Sequence, residues 1–309
     1  MNHQHPRDLN GAALLAAIAS MADLSALRHA NLDSCGLTAF PMAVLKLSDL
    51  SILSLFDNQL SEVPATISKL RKLTTLNLGN NQLVAIPQEL GELEALEMLD
   101  LGHNRLAELP DSLGKLAHLT FLYLSNNRLS SLPASLASLA SLRYMNLTDN
   151  QFSELPGWIG RLSSLIELRL YNNLLTTLPD EVGALTGLVE LHANQNQIAT
   201  LPASIGQLSS LVRLNLQSNR LAALPESIGN LGRLTELDLR FNQLSALPDR
   251  ITDLQALEYL DLRANALTSL PGSLQELPRL RKIDLRWNRL EARPPCLAAL
   301  ASRGCIVYT

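Results

Sequence analysis

Apolar side chains recur along this chain in one pattern with a period of 23 residues. Counted from the first leucine of each copy, apolar residues fill positions 1, 4, 6, 11, 14, 18 and 21 in nearly every copy. A fixed period of this length is typical of proteins in which copies of one unit stack and share a core. The first leucines of the twelve copies are Leu27, Leu50, Leu73, Leu96, Leu119, Leu142, Leu165, Leu188, Leu211, Leu234, Leu257 and Leu280.

The spacing within each copy predicts one short β-strand. Apolar residues two apart, such as Leu53 and Leu55, bury one face of a strand, and each copy adds a strand to a parallel sheet at about 4.8 Å from the next. Position 15 is proline in all twelve copies, from Pro41 to Pro294. Because proline fixes φ and removes a hydrogen-bond donor, we expect the chain to return through a short helical or 3₁₀ turn.

Position 9 carries a polar residue for which we predict a structural role. It is Asn in eleven copies, from Asn58 to Asn288, and Cys35 in the first copy. A buried amide must be hydrogen-bonded, and stacked Asn side chains can satisfy backbone groups where the chain turns. We therefore interpret these asparagines as part of the fold rather than as ligand-binding residues.

Both ends of a stack of strands need caps. Residues 10–24 predict a helix laid over the first copy. At the other end, Ile306 and Tyr308 fall at positions 4 and 6 of a thirteenth copy, so residues 305–308 are predicted to pair as a last strand.

The unbroken period favours a single domain, although a length of 309 residues alone would suggest two. We expect one domain over residues 1–309. It comprises an N-terminal capping helix in residues 1–26, twelve repeats in residues 27–300, and a C-terminal cap strand in residues 301–309.

Composition narrows the classes of partner and compartment. The chain has 25 basic and 29 acidic residues, so it lacks the strong field of one sign that favours nucleic acid or anionic membranes as partners. Three cysteines are an odd, sparse count that fits a reducing compartment, and we expect a cytoplasmic location. The sequence contains no run of 18 apolar residues that would predict a membrane span.

The string LPxxLxxLxxLxxLxLxxNxL resembles the cytosolic 23-residue class of leucine-rich repeat proteins, and residues 66–83 and 204–221 match it nearly throughout. The same unit occurs in Ras-associated scaffold proteins, plant intracellular Ras-group proteins and bacterial effectors. The resemblance implies an α/β fold, a leucine-rich repeat solenoid or horseshoe, with parallel strands on the concave face and short helical or 3₁₀ turns on the convex face. It also implies protein binding.

Motifs for catalysis, cofactors and metals are missing from the sequence. It contains no GxxxxGK[ST] phosphate loop, no GxGxxG after a strand, and no HExxH or CxxC spacing. His103 and His192 are predicted to lie four coils apart, roughly 19 Å, too far to share a metal ion. Cys296 and Cys305 are interpreted as buried thiols of the C-terminal cap. We therefore expect a protein that is not an enzyme and has no cofactor or metal.

Positions 3, 5, 7, 8 and 10 point away from the core, and the aromatic residues concentrate there. The chain has only two Trp, five Tyr and five Phe. Since interface cores favour aromatic residues and Arg, this enrichment indicates a binding surface. The eight aromatic residues at these positions are Phe56, Phe121, Tyr123, Tyr144, Tyr171, Phe241, Tyr259 and Trp287.

Seven of these aromatic residues form two predicted groups. The central group is Phe121, Tyr123, Tyr144 and Tyr171, flanked by His103, Glu167 and Arg169. The C-terminal group is Phe241, Tyr259 and Trp287, beside a column of Asp238, Asp261 and Asp284 and a column of Arg240, Arg263 and Arg286. Two interpretations of the columns stay open, because the arginines can reach a carboxylate on a partner or neutralise the aspartates as a solvated ladder.

These patterns predict a non-enzymatic scaffold or adaptor that holds a protein partner on its concave face, in intracellular signalling. The aromatic residues would anchor the partner and the arginines would orient it. We expect a monomer, with a dimer of concave faces as the alternative. Two other functions stay open: a bacterial effector that binds a host signalling protein in the host cytosol, or the targeting module of a separately encoded kinase or ubiquitin ligase.

Overall fold

The chain forms two compact units, Met1–Asn150 and Gln151–Thr309. Each unit is built from 23-residue coils in which one short strand alternates with one return turn. The single domain expected over residues 1–309 stays a prediction. The structure, a computed structural model, describes residues 11–20, 24, 27–291 and 294–309.

The described part of the first unit contains six parallel strands in chain order. Each residue pairs with the residue 23 positions later, as Phe121 does with Tyr144. The predicted short strand in each copy is therefore confirmed, and it spans positions 3 to 5. The strands are β1 (His29–Asn31), β2 (Ile52–Ser54), β3 (Thr75–Asn77), β4 (Met98–Asp100), β5 (Phe121–Tyr123) and β6 (Tyr144–Asn146).

The second unit contains seven parallel strands among its described residues. The first six keep the 23-residue register, as Glu167 does with Glu190. The strands are β7 (Glu167–Arg169), β8 (Glu190–His192), β9 (Arg213–Asn215), β10 (Glu236–Asp238), β11 (Tyr259–Asp261), β12 (Lys282–Asp284) and β13 (Ile306–Tyr308).

The core of each unit is a stack of leucine side chains behind the strands. In one coil, Leu96, Leu99, Leu101 and Leu106 are all fully shielded from solvent. Burial of apolar surface stabilises a fold by about 25 cal/mol per Å², so this stack is the main source of stability.

The position-9 asparagines hold neighbouring coils together. The side-chain amide of Asn127 donates to the carbonyl oxygens of Leu101 at 2.9 Å and Leu124 at 3.1 Å, and its Oδ1 accepts from the Leu106 amide at 3.0 Å. The amide of Asn127 is thus satisfied inside the fold, which confirms the predicted structural role.

The return segments are 3₁₀ turns of five residues that begin directly after the proline at position 15. Pro87, with φ of −71°, precedes the turn Gln88–Glu92, and Pro202, with φ of −67°, precedes the turn Ala203–Gln207. Proline suits this cap position because no hydrogen bond of the turn needs its N–H, while its carbonyl oxygen accepts the first one, as that of Pro87 does from Leu90 at 3.1 Å. The predicted 3₁₀ return is confirmed.

Position 8 takes a left-handed backbone in all twelve coils, with φ between 51° and 62°. Asn and Asp tolerate this conformation best among residues with side chains, and bulky residues tolerate it poorly. Seven of the twelve residues are polar and small, namely Ser34, Asp57, Asn80, Asn126, Asp149, Asn172 and Ser218. The other five are His103, Gln195, Phe241, Ala264 and Trp287.

Two α-helices lie near the chain ends. α1 spans Gly11–Ala19, which is shorter than the predicted helix over residues 10–24, and its Leu14 is fully buried. Residues 10 and 21–23 of that prediction lie outside the described residues. α2 spans Pro295–Ser302. These are the longest described helices, with nine and eight residues, whereas a bilayer crossing takes about 20.

The predicted last strand is confirmed, but its predicted register is wrong. β13 pairs in parallel with β12, and Val307 lies opposite the buried Ile283, so Ile306 and Tyr308 point into solvent. α2 and the left-handed Gly304, with φ of 88°, replace the usual 3₁₀ turn and add one residue to the coil. A slip of one residue moves every side chain of a strand to the other face.

Candidate functional site

The side chains at positions 3, 5, 7, 8 and 10 form what we call the strand face of each unit. Along β5, Phe121 is exposed and Tyr123 half-buried, while Leu122 between them is buried. This alternation follows from the pleat of a strand, which sends successive side chains to opposite faces. All the candidate residues predicted from the sequence belong to these positions.

Three aromatic residues pack together on the strand face of the first unit, and we call them the first aromatic group. The rings of Tyr123 and Tyr144 have centroids 4.8 Å apart, and those of Phe121 and Tyr144 are 6.4 Å apart. Phe121 and Tyr144 are opposite each other on β5 and β6. Phe121 remains 41% exposed, so the group presents apolar surface that is already fixed in place.

The other members predicted for the central group lie elsewhere. His103 follows β4, and its Nε2 is 3.4 Å from the amide nitrogen of Asn126. Glu167 and Arg169 belong to β7 of the second unit and form an ion pair of 2.5 Å. Tyr171 follows them, also in the second unit, and is half-buried.

Four residues form a second aromatic group, on the strand face of the second unit. The rings of Phe241 and Trp287 have centroids 6.5 Å apart although the residues are two coils apart, with Ala264 at the same position in between. The guanidinium carbon of Arg286 lies 5.7 Å from the Trp287 ring and 5.0 Å from the Tyr308 ring. The exposed fractions of Phe241 and Trp287 are 47% and 66%.

The backbone of Phe241 and Trp287 is strained, which the apolar pattern did not reveal. Their φ values of 57° and 62° lie in the left-handed region, where a residue with a side chain costs roughly 1–2 kcal/mol. The available signal was the frequency of Asn, Asp and Ser at position 8 in the other copies. All twelve position-8 residues share this backbone, and Phe241 and Trp287 are distinguished among them by large, exposed apolar side chains.

Tyr259, the remaining member predicted for the C-terminal group, is the first residue of β11 and is 42% exposed. It lines a shallow cavity of about 180 Å³ together with Asp238, Asp261 and Lys282. Pockets for small ligands usually measure about 300–1,000 Å³, so this cavity suits a single side chain of a partner better than an enclosed ligand.

The arginine and aspartate columns pair within each coil. Arg240 lies 3.1 Å from Asp238, Arg263 lies 2.6 Å from Asp261, and Arg286 lies 2.6 Å from Asp284. These ion pairs are compatible with the second of the two interpretations left open by the sequence, mutual neutralisation, and the partner-binding role of the arginines stays a prediction. The guanidinium groups still line the strand face, but their first partners are aspartates of the same chain.

The net shift of the carboxyl pKa differs between two members of the aspartate column, although burial raises it in both. For Asp284 it raises the carboxyl pKa, but hydrogen bonds from Arg286 and the nearby charges of Arg286 and Arg263 outweigh it and lower the pKa below its ordinary value. For Asp238 burial is the larger effect, and the pKa is raised despite the backbone hydrogen bond from Arg240.

One cluster of possible metal ligands was missed by the sequence analysis. The ligand atoms of Glu167, Glu190 and His192 all lie within 4.8 Å of one another on β7 and β8. The sequence did contain a signal for this cluster. Glu190 is at position 3 of the same copy as His192, and Glu167 is at position 3 of the preceding copy.

The thiols agree with their predicted structural role. Cys296 and Cys305 are free and buried, and Cys35 is free and half-buried. Burial raises the pKa of all three thiols, which lowers their reactivity because the thiolate is the nucleophile.

Two family models match the chain. The model described as "Leucine-rich repeat region" matches residues 133–237. The model described as "Leucine rich repeat" matches four stretches, residues 48–106, 71–129, 94–152 and 232–290. A comparison with curated proteins found no significant match.

Solved structures share the fold over most of the chain. A leucine-rich repeat protein of Leptospira interrogans is 36% identical with a TM-score of 0.88, and the match covers 93% of this chain and 73% of that one. The plant peptide hormone receptor RGFR1 in complex with RGF2 is 30% identical with a TM-score of 0.77, covering 90% of this chain and 46% of that one. A chain of the Drosophila Toll–Spatzle complex is 26% identical with a TM-score of 0.79, covering 92% and 39%. The chain thus spans less than half the length of the last two.

Proposed function

The chain belongs to the leucine-rich repeat family, and from this premise we propose that it binds a protein partner through its strand face. Proteins of this fold generally serve as non-enzymatic protein-binding scaffolds, because a stack of similar coils offers a long surface rather than a deep pocket. Two similar structures were solved as complexes, one with RGF2 and one of Toll with Spatzle.

The observation that carries the proposal is the strained, exposed pair of Phe241 and Trp287. Asn at position 8 would satisfy the left-handed backbone at lower cost, as Asn80 and Asn126 do in the first unit. The two rings also expose apolar surface to water, and this exposed surface does not stabilise the fold. A partner that covers the rings would gain the free energy of removing their apolar surface from water. Buried aromatic side chains carry much of the affinity of protein interfaces.

The side chains of the second aromatic group are already in contact before a partner binds. The rings of Phe241 and Trp287 lie against each other, and the guanidinium group of Arg286 lies over the rings of both Trp287 and Tyr308. Since these side chains already contact one another, little conformational entropy remains to be lost on binding.

The first aromatic group supports a second contact surface by a separate observation. Phe121, Tyr123 and Tyr144 pack ring against ring, yet Phe121 stays exposed. We propose that this group contributes to partner binding from the first unit, and the double variant Phe121→Ala, Tyr144→Ala is the test of that contribution.

The deciding experiment is affinity capture from bacterial and eukaryotic lysates with the double variant Phe241→Asn, Trp287→Asn. Asn accepts the left-handed backbone, so the variant should melt at or above the temperature of the parent. Loss of both rings should weaken capture of the partner at least about tenfold.

The matched control is Met42→Ser. Met42 is an apolar side chain with 56% exposure, but it lies in the 3₁₀ turn Met42–Lys46, away from the strand face. It should capture the same partner as the parent. Equal capture by the parent, the control and the double variant would contradict the assignment of the second aromatic group.

A finer proposal concerns the place of action. We propose an adaptor role in intracellular signalling, supported by three free thiols, which suit a reducing compartment. The alternatives are an effector delivered to a host cytosol and the targeting module of a separately encoded kinase or ubiquitin ligase. Fractionation of producing cells and their medium separates the first from the second, and a kinase or ligase among the captured proteins would favour the third.

A further inference from the structure

A compact cluster of metal-type ligands lies on β7 and β8, outside both aromatic groups. Glu190 and His192 are two residues apart on β8, so their side chains share the strand face. Glu167 is opposite Glu190 on β7. His192 Nε2 lies 3.0 Å from Glu190 Oε2, and the three ligand atoms lie within 4.8 Å of one another.

Three carboxylates on nearby strands, those of Glu167, Glu190 and Glu236, pair with two arginines. Two like charges directly opposite each other on neighbouring strands are unfavourable unless a cation lies between them. Arg169 pairs with Glu167, and Arg213 pairs with Glu190, but Arg213 also lies 3.6 Å from Glu236. Three carboxylates therefore share two guanidinium groups.

Each arginine donates to one carboxylate oxygen of its partner glutamate. Arg169 Nε donates to Oε1 of Glu167, and Arg213 Nη1 donates to Oε1 of Glu190. The other oxygen of Glu190 faces the imidazole of His192. Carboxylates that ligate a metal ion commonly accept hydrogen bonds from neighbouring residues as well, so these contacts are compatible with ligation.

We propose that Glu167, Glu190 and His192 bind a divalent transition-metal ion of the Zn²⁺ type. Two carboxylate oxygens and one imidazole nitrogen form a mixed ligand set that suits zinc and discriminates against Mg²⁺, which prefers oxygen ligands alone. The side-chain exposure of all three residues is 21–22%, so the site is half-shielded and leaves coordination positions open to water or to a partner.

Calorimetric titration of the untagged full chain with ZnCl₂ tests this proposal, with Co²⁺ absorption as a readout of ligand geometry. We expect one strong site, a Co²⁺ ligand-field spectrum, and no response to Mg²⁺. His192→Ala and Glu167→Gln should each weaken Zn²⁺ binding at least about tenfold.

The matched control is His103→Ala, which removes a histidine at a strand-face position of the first unit without touching the cluster. Zn²⁺ affinity should be unchanged in this variant, and the melting curves of all three variants should match that of the parent. The absence of Zn²⁺ binding up to about 1 mM, a range weaker than any useful protein site, would overturn the proposal. Equal affinity in the parent and His192→Ala would overturn it as well.

Discussion

Position 8 requires a left-handed backbone in every coil, and the residues found there differ in how well they tolerate it. Asn126 meets it at low cost, whereas Trp287 meets it with a bulky ring and 66% exposure. The outward placement of both residues was predictable from the repeat. The strain was not, because it lies in φ, and the apolar period reports only on which side chains are buried.

Asp100 offers a second test at the scale of one residue. Its Oδ1 accepts from the Gly102 amide at 2.8 Å, as Oδ1 of Asn77 accepts from the Gly79 amide at 2.9 Å in the preceding coil. Burial raises the pKa of the Asp100 carboxyl, against the effects of that hydrogen bond and of His103. The folded protein therefore holds the proton more tightly than the unfolded chain does.

We predict that Asp100→Asn increases the free energy of unfolding at pH 7, because the variant keeps the hydrogen bond and removes the cost of a buried charge. The gain should shrink as the pH falls through the raised pKa, and vanish below about pH 3.9, where the carboxyl is protonated in both states. Urea melts of both proteins at pH 7 and pH 3.5 measure the difference. A variant less stable than the parent at pH 7 would count against this account of Asp100.

At the scale of elements, stacking of the 3₁₀ turns depends on close approach between coils. A Cβ atom added to Gly206 would lie against the carbonyl oxygen of Ser227 and 2.8 Å from the Ser227 Cβ in the next coil. Backbone cannot yield as a flexible side chain does, so the two coils would have to separate.

Gly206→Ala should therefore lower the free energy of unfolding by about 1–3 kcal/mol, the usual range for an overpacked site. Gly232→Ala is the matched control, because nothing lies within 4 Å of its added Cβ. It should change stability by less than about 0.5 kcal/mol. Denaturant unfolding of the two variants measures the difference in their free energies of unfolding. Equal values would show that the coils have room to adjust.

Most elements followed from the sequence because period and burial coincide in every copy. The exception, the register of β13, shows where that argument ends. Ile306 and Tyr308 were assigned by counting 23 residues, whereas α2 and Gly304 make the coil one residue longer. An irregular cap breaks the count, and the placement of Val307 opposite Ile283 could not be read from the repeat.

The Glu167, Glu190 and His192 cluster eluded the sequence for a different reason. Its members come from two copies, and they meet only because parallel strands place position 3 of one copy beside position 3 of the next. A comparison of histidines alone does not reveal a mixed ligand set.

At the scale of the whole molecule, stability depends on the strand β13, which covers the edge of β12. β13 pairs along β12, and Cys305 is buried between them and α2. Without β13, the edge of β12 and the buried side chains of Ile283 and Leu285 would meet water.

Deletion of residues 303–309 should lower the melting temperature by at least about 4 °C, since each kcal/mol shifts it by about 2–4 °C in a protein of this size class. Ile306→Thr is the control, because it keeps the strand and changes a side chain that is 53% exposed. It should shift the melting temperature by less than about 2 °C. Calorimetry measures both proteins. An unchanged melt of the deletion variant would remove β13 from the list of stabilising elements.

The contact between Phe241 and Trp287 spans two periods of the repeat, and this makes it sensitive to copy number. Sequences built of similar copies gain and lose whole copies by unequal recombination, and each event preserves strand register because it changes the length by one period. One copy gained between the two rings would move them about 4.8 Å further apart, and one copy lost would place them on adjacent coils. The spacing of the two rings is thus inherited as a count of copies, so a lineage can alter the shape of this surface without a single substitution in the core.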